Sequence, residues 1–167
     1  MNYGHFSKDA SEYIITNPNT PRPWINFLSN ESYCAVISQT GGGYSFYKDS
    51  KTERMLYWTG QNLHLDRPGR YVFIRDSESK KAFSVSFEPI RAKYDEYECR
   101  VGFGYQIIKT KVKGIAAETT YFVPKDEPCE IWKVKIKNVS NKTKKLNVFG
   151  YLEWFIGSAD YITFYNI

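Results

Sequence analysis

The feature that most constrains this chain is strict alternation of side-chain character with no helical period anywhere beside it. In Ile131–Lys137 the apolar Trp132, Val134 and Ile136 alternate with Lys133, Lys135 and Lys137. A period of two puts the apolar set on one face of a strand and the lysines on the other. The next run carries Leu146, Val148, Gly150, Leu152, Trp154 and Ile156 at every second position, which reads as one strand of about eleven residues. Phe83, Val85 and Phe87 are expected to face inward and Ser84 and Ser86 outward. No segment repeats its apolar residues at helical spacing. About ten to twelve strands separated by turn signals therefore predict an all-β fold, a large antiparallel sandwich.

Glycines and prolines place the turns. Gly41-Gly42-Gly43 separates Tyr33–Ser38 from the run Tyr44–Tyr47, which predicts a tight reversal, because glycine takes positive φ without steric cost. A phosphate cradle would need a helix N-terminus behind the loop, and a β-forming run stands there instead. Between Asn17 and Pro23 three prolines forbid both helix and central strand, so the segment is expected to run extended over a surface. It holds Arg22 rigid beside Trp24, which marks both as interface candidates; the competing reading makes Trp24 a core plug. Pro68-Gly69, the stretch 76–80 and Pro124–Pro128 are further turns, and Gly102 and Gly104 predict a bulge or bend before Tyr105.

Composition narrows the functional classes. Aromatics make up 17% of the 167 residues, which suits β-structure and also sugar-stacking surfaces. The net charge is +5, but the lysines are distributed along strand faces, which fits solvated faces and protected edges better than a nucleic-acid groove. Cys34, Cys99 and Cys129 show neither metal-ligand nor disulfide spacing, and Cys34 and Cys129 read as small buried apolar residues. No apolar run reaches the length of a membrane span, and residues 1–8 lack a signal-peptide core, so the expected compartment is the cytoplasm.

Glycosidic-bond cleavage needs a positioned carboxyl acid opposite a second carboxylate or an external nucleophile. The candidate acids are Glu88, Asp95, Glu96, Glu98, Glu118 and Glu153. None is spaced as an acid–base pair, and Glu153 fits a hydrogen-bonded structural role. His64 stands alone in a loop, so no nucleophilic triad assembles. The residues assign neither a catalytic group nor a metal site.

The strings TPRPWINFLSNE, ISQTGGGYSFYKD, Asp66–Tyr71 (DRPGRY) and Tyr151–Trp154 (YLEW) resemble, in the same order, the N-terminal region of family 94 glycoside hydrolases. The chain closely resembles these cellobiose and chitobiose phosphorylases over nearly its whole length. The resemblance implies a galactose-mutarotase-like β-supersandwich, one domain over 1–167, cut short at its C-terminal end. It also implies a missing C-terminal (α/α)6 barrel that carries the catalytic aspartate. In such enzymes inorganic phosphate is co-substrate, with no other cofactor, and attacks a β-linked disaccharide with inversion to give an α-sugar-1-phosphate. The expected role is to brace the barrel, line its entrance and support a homodimer, with the isolated chain inactive. Family members carry a substrate-side loop of the pattern W-N-A-x-D-D-x-T-N-F-Q-R. Ala159, Asp160 and Thr163 match it once one residue is deleted, making Asp160 and Thr163 the substrate-binding candidates, while Ser158 and Phe164 replace the asparagines and the Gln-Arg pair is missing. A free-standing carbohydrate-binding module is the rival reading, and an independent small enzyme a third.

Overall fold

The computed structural model describes residues 2–59 and 66–157 and contains fourteen strands and no helix among them. In chain order they are β1 (Gly4–Phe6), β2 (Tyr13–Ile15), β3 (Ile25–Ser29), β4 (Tyr33–Ser38), β5 (Gly43–Tyr47), β6 (Arg54–Leu56) and β7 (Tyr71–Asp76). Then follow β8 (Ala82–Ser84), β9 (Glu96–Gly102), β10 (Tyr105–Val112), β11 (Ile115–Phe122), β12 (Ile131–Asn138), β13 (Leu146–Tyr151) and β14 (Trp154–Gly157). They form a six-stranded sheet (β1-β2-β9-β10-β11-β12), a five-stranded sheet (β14-β6-β5-β4-β3) and a three-stranded sheet (β13-β7-β8). Every strand pairing is antiparallel.

The six-stranded sheet backs both smaller ones. Ile15, Cys99, Ile108 and Tyr121 on its inner face meet Leu28, Tyr33, Ala35 and Ile37 of the five-stranded sheet. Further along, Val112, Ile115 and Ala117 meet Val72, Ile74, Phe83 and Val85. A third cluster lies beyond the five-stranded sheet, where Cys34 and Val36 pack with Tyr44, Leu56 and Trp58. β4 is thus covered on both faces and all six of its residues are buried, which is why its sequence stays apolar up to the closing Ser38.

The outer face of the six-stranded sheet shows what the lysines do. The cross-strand register aligns Glu98, Lys109, Glu118 and Lys135 in one row over four strands. Lys109 lies 3.5 Å from Glu98 and 3.9 Å from Glu118, and Lys135 lies 3.0 Å from Glu118. Opposite charges on facing strands stabilise the pairing, each by a few tenths of a kcal/mol up to about 1 kcal/mol.

Four expectations need correction. Ser84 and Ser86 are fully buried, not outward-facing. Ser84 Oγ donates to the Ser86 carbonyl at 2.8 Å and Ser86 Oγ to the Glu88 carbonyl at 2.9 Å, so each hydroxyl is satisfied inside. The run 146–156 is two strands, because the chain leaves the three-stranded sheet after Tyr151 and enters the five-stranded one at Trp154. Gly102 pairs directly with Tyr105, making a tight hairpin between β9 and β10 where a bulge or bend was expected. Cys129 is exposed, while Cys99 joins Cys34 inside.

Candidate functional site

The glycine turn organises the polar centre of the molecule. Ser38 N–H donates to the Gly42 carbonyl at 2.9 Å, and Ser38 Oγ accepts from Gly42 N–H at 2.9 Å. Gly41 and Gly43 sit at φ 88° and 124°. A Cβ on Gly42 would fall 1.9 Å from Asp66 Oδ1, and one on Gly43 would fall 1.9 Å from the Val36 carbonyl oxygen. The glycines are therefore required by close approach of other chain segments. Gly41 and Gly42 spend their N–H groups on Ser38, so the turn serves as an internal packing device.

Asp66 stands against this turn. Its carboxylate accepts hydrogen bonds from Ser38 Oγ, Thr40 Oγ1 and, at 3.0 Å, the Trp58 indole N–H. Burial pushes its pKa up, opposed by those three donors, while the negative charge of Glu88 adds to the rise. Glu88 is itself buried and receives Arg67 Nε at 3.0 Å and Arg91 Nε at 2.6 Å. Both arginines are about half exposed, with side-chain exposures of 49% and 52%.

Over these two carboxylates lies the proline segment, roofing a cavity of about 150 Å³ lined by Pro18–Pro23, Gln39, Thr40, Asp66 and Glu88. Gln39 pins the roof. Its Nε2 donates to the Pro18 carbonyl at 3.1 Å and to Thr20 Oγ1 at 2.6 Å, and its Oε1 accepts from Trp24 N–H at 2.9 Å. Trp24 is half-buried, packs on the core and meets the Tyr3 ring edge-on with centroids 5.6 Å apart. Arg22 is exposed, and its guanidinium has no hydrogen bond or ion pair among the described residues.

The other candidate acids are all engaged. Asp95 accepts from Lys113 N–H at 2.9 Å, Glu96 pairs with Lys111 at 2.7 Å, Glu98 with Arg100 at 2.6 Å, and Glu118 with Lys135 at 3.0 Å. Glu153 accepts from the Tyr151 hydroxyl, the structural role its sequence context suggested. Asp160 and Thr163 lie outside the described residues, as does His64. Gln39 and Asp66 were missed as site residues by sequence reasoning. The one available signal was polar residues pressed against a glycine run at the end of an apolar strand. Among the described residues no helix is long and apolar enough to cross a membrane.

This fold and its glycine-centred junction define a class: the chain belongs to the glycosyl hydrolase 94 supersandwich domain family, whose model matches residues 11–164. It is 41% identical over 156 residues to an N,N'-diacetylchitobiose phosphorylase of Vibrio furnissii, covering 92% of this chain and 19% of that protein. It is 42% identical to the enzyme of the same name from Vibrio proteolyticus, with the same coverage. A solabiose phosphorylase of Paenibacillus borealis is 31% identical over 162 residues, covering 95% of this chain and 21% of that protein. The chain thus spans about a fifth of the length of these relatives.

Proposed function

We propose that this chain is the non-catalytic N-terminal supersandwich region of a cytoplasmic, homodimeric disaccharide phosphorylase. In that enzyme a C-terminal (α/α)6 barrel carries the chemistry. There inorganic phosphate splits a β-linked disaccharide with inversion, giving an α-sugar-1-phosphate and a free sugar. The supersandwich braces the barrel, lines its entrance and supports the dimer. Asp160 and Thr163 are proposed to approach the carbohydrate, and Arg22 with Trp24 to form the contact with the barrel or the second subunit.

The observation that carries this reading is the roof over the glycine junction. A proline-stiffened segment, pinned by one buried glutamine, presents a guanidinium that has no internal partner among the described residues. A rigidly presented arginine loses little conformational freedom on docking, which suits a fixed contact between large parts. The named activities of the relatives supply the reaction class.

The test is a chimera in which this chain replaces the matching fifth of the Vibrio furnissii phosphorylase. The chimera is expected to release sugar-1-phosphate from N,N'-diacetylchitobiose and phosphate, whereas the chain alone releases none. Reproducible phosphorolysis by the purified chain alone, or a folded chimera without activity, overturns the proposal. In the active chimera Arg22→Ala is expected to weaken assembly by about 1–3 kcal/mol in sedimentation equilibrium without lowering the melting temperature.

A further inference from the structure

A second cavity, of about 370 Å³, opens beside the three-stranded sheet and shares no lining residue with the one under the proline roof. Its floor is apolar: Phe83, Val112 and Ile115 are buried there, and Ile90 and Ala92 form its wall. Its rim carries Lys81, Lys93 and Lys113. These lysines come from three separate places: the chain entering β8, the segment before β9, and the β10–β11 turn, where Lys113 sits at φ 48°. None of the three ammonium groups has an acidic partner within ion-pair distance among the described residues.

The carboxylates nearest this rim are already engaged: Asp95 Oδ2 accepts the Lys113 N–H at 2.9 Å. Asp76 Oδ2 receives Lys144 Nζ at 3.0 Å, and Oδ1 accepts the N–H of Glu78 at 2.9 Å and of Ser79 at 3.4 Å. Lys81 and Lys113 line the same cavity, and the fold brings their like charges close enough to act on each other. The Lys113 ammonium is held below the ordinary lysine value, chiefly by Lys81 beside it and further by Lys144, with Asp76 opposing. Like charges brought together by the fold repel, and an anion placed between them relieves that repulsion.

A pocket of this size holds a small ring or branched chain, and a cationic rim above an apolar floor selects a molecule with one end of each kind. We propose that this cavity binds a small amphiphilic organic anion, a phosphate monoester or carboxylate on an aryl or branched alkyl body. The apolar body packs on Phe83, Val112 and Ile115, and the anionic head lies between Lys81 and Lys113. This site is separate from the proline roof, and the inference does not depend on the function proposed above.

The test is a titration of the ¹⁵N-labelled full chain with phenyl phosphate, with phenol and inorganic phosphate run as half-ligands. Phenyl phosphate is expected to shift the amides of Ala92, Val112, Lys113 and Ile115 saturably, with at least about tenfold higher affinity than either half-ligand, because a charge-assisted bond and apolar burial act together. Lys81→Gln combined with Lys113→Gln is expected to weaken phenyl phosphate about tenfold or more while leaving phenol unchanged. Both positions are exposed, and an unaltered amide spectrum elsewhere shows that the variant is folded. Absence of saturable shifts at these four amides overturns the proposal. So does equal affinity for a half-ligand, or unchanged phenyl phosphate binding in the folded double variant.

Discussion

Arg70 is fully buried, with Nε 2.8 Å from Glu130 and Nη1 3.1 Å from the Val36 carbonyl. Arg70 Nη2 and Glu130 Oε2 find no further hydrogen-bond partner among the described residues. Two charges removed from water hold each other here, so deleting either leaves the other uncompensated. Arg70→Ala and Glu130→Ala are each expected to lower stability by about 3–5 kcal/mol in urea denaturation. Arg70→Met with Glu130→Leu is expected to recover most of that loss, since an apolar pair carries no desolvation cost. Losses below about 1 kcal/mol for both single variants would refute the account. Gly43 makes a similar demand in steric form. Gly43→Ala places a methyl 1.9 Å from a backbone oxygen at φ 124°, and strain and overpacking together are expected to cost about 3 kcal/mol or more. Gly104 also has positive φ, 78°, but nothing lies within 4 Å of its Cβ position. Gly104→Asn is therefore expected to cost under about 1 kcal/mol, and equal melting losses for the two variants would show that crowding is irrelevant at Gly43.

At the scale of elements, short turns hold the sheets in register, and the β1–β2 turn exposes its chemistry to titration. Asp9 accepts from Ser7 Oγ at 2.6 Å and Ser11 Oγ at 2.9 Å, and these two hydroxyls lead the causes that lower its pKa from 3.8 to about 2. A depressed carboxylate contributes stability that is fully present above its unfolded value and is lost as pH falls through its folded value. The contribution of Asp9 is thus expected to fade between about pH 4 and pH 2. Carbonyl-detected NMR should give a midpoint near 2, moving up toward the ordinary aspartate value in Ser7→Ala/Ser11→Ala; an unmoved midpoint would remove the hydroxyls as the cause. Much of this level was legible in the sequence. The β11–β12 alternation and the glycine reversal between β4 and β5 follow from side-chain period and backbone freedom, both local properties. Ser84 and Ser86 were not legible, because their burial depends on carbonyls that arrive when the chain turns toward Glu88. The 146–156 run keeps its period across two sheets, and periodicity carries no information about which neighbour a strand pairs with. Asp66 and Arg70 stayed hidden for the same reason: a charged residue is buried by distant partners, here Ser38, Trp58 and Glu130.

At the scale of the whole molecule, the exposed large apolar side chains are unevenly placed. Phe103 at a hairpin tip and Phe6 and Phe27 elsewhere are scattered, but Val148, Phe149, Tyr151, Trp154 and Ile156 follow one another on β13 and β14. Both strands lie at the ends of their sheets among the described residues. Trp154 is 65% and Ile156 83% exposed, values that a packed interior does not tolerate and a covered surface explains. Contiguous apolar area at a sheet edge is an interaction surface or an aggregation liability, because it offers side chains and open backbone groups together. The chain by itself is therefore expected to self-associate reversibly at micromolar concentration, with sedimentation velocity showing species above the 19.5 kDa monomer. Trp154→Lys with Ile156→Lys should return it to a monomer without changing its melting temperature, since neither side chain supports the core. The Lys109–Glu118 row on the outer face of the six-stranded sheet supplies the control. Neutralising Glu118→Gln should leave self-association intact and cost about 1 kcal/mol of stability or less. A chain that stays monomeric at high concentration, or one whose association follows the Glu118 substitution, would place the adhesive surface elsewhere than on these two terminal strands.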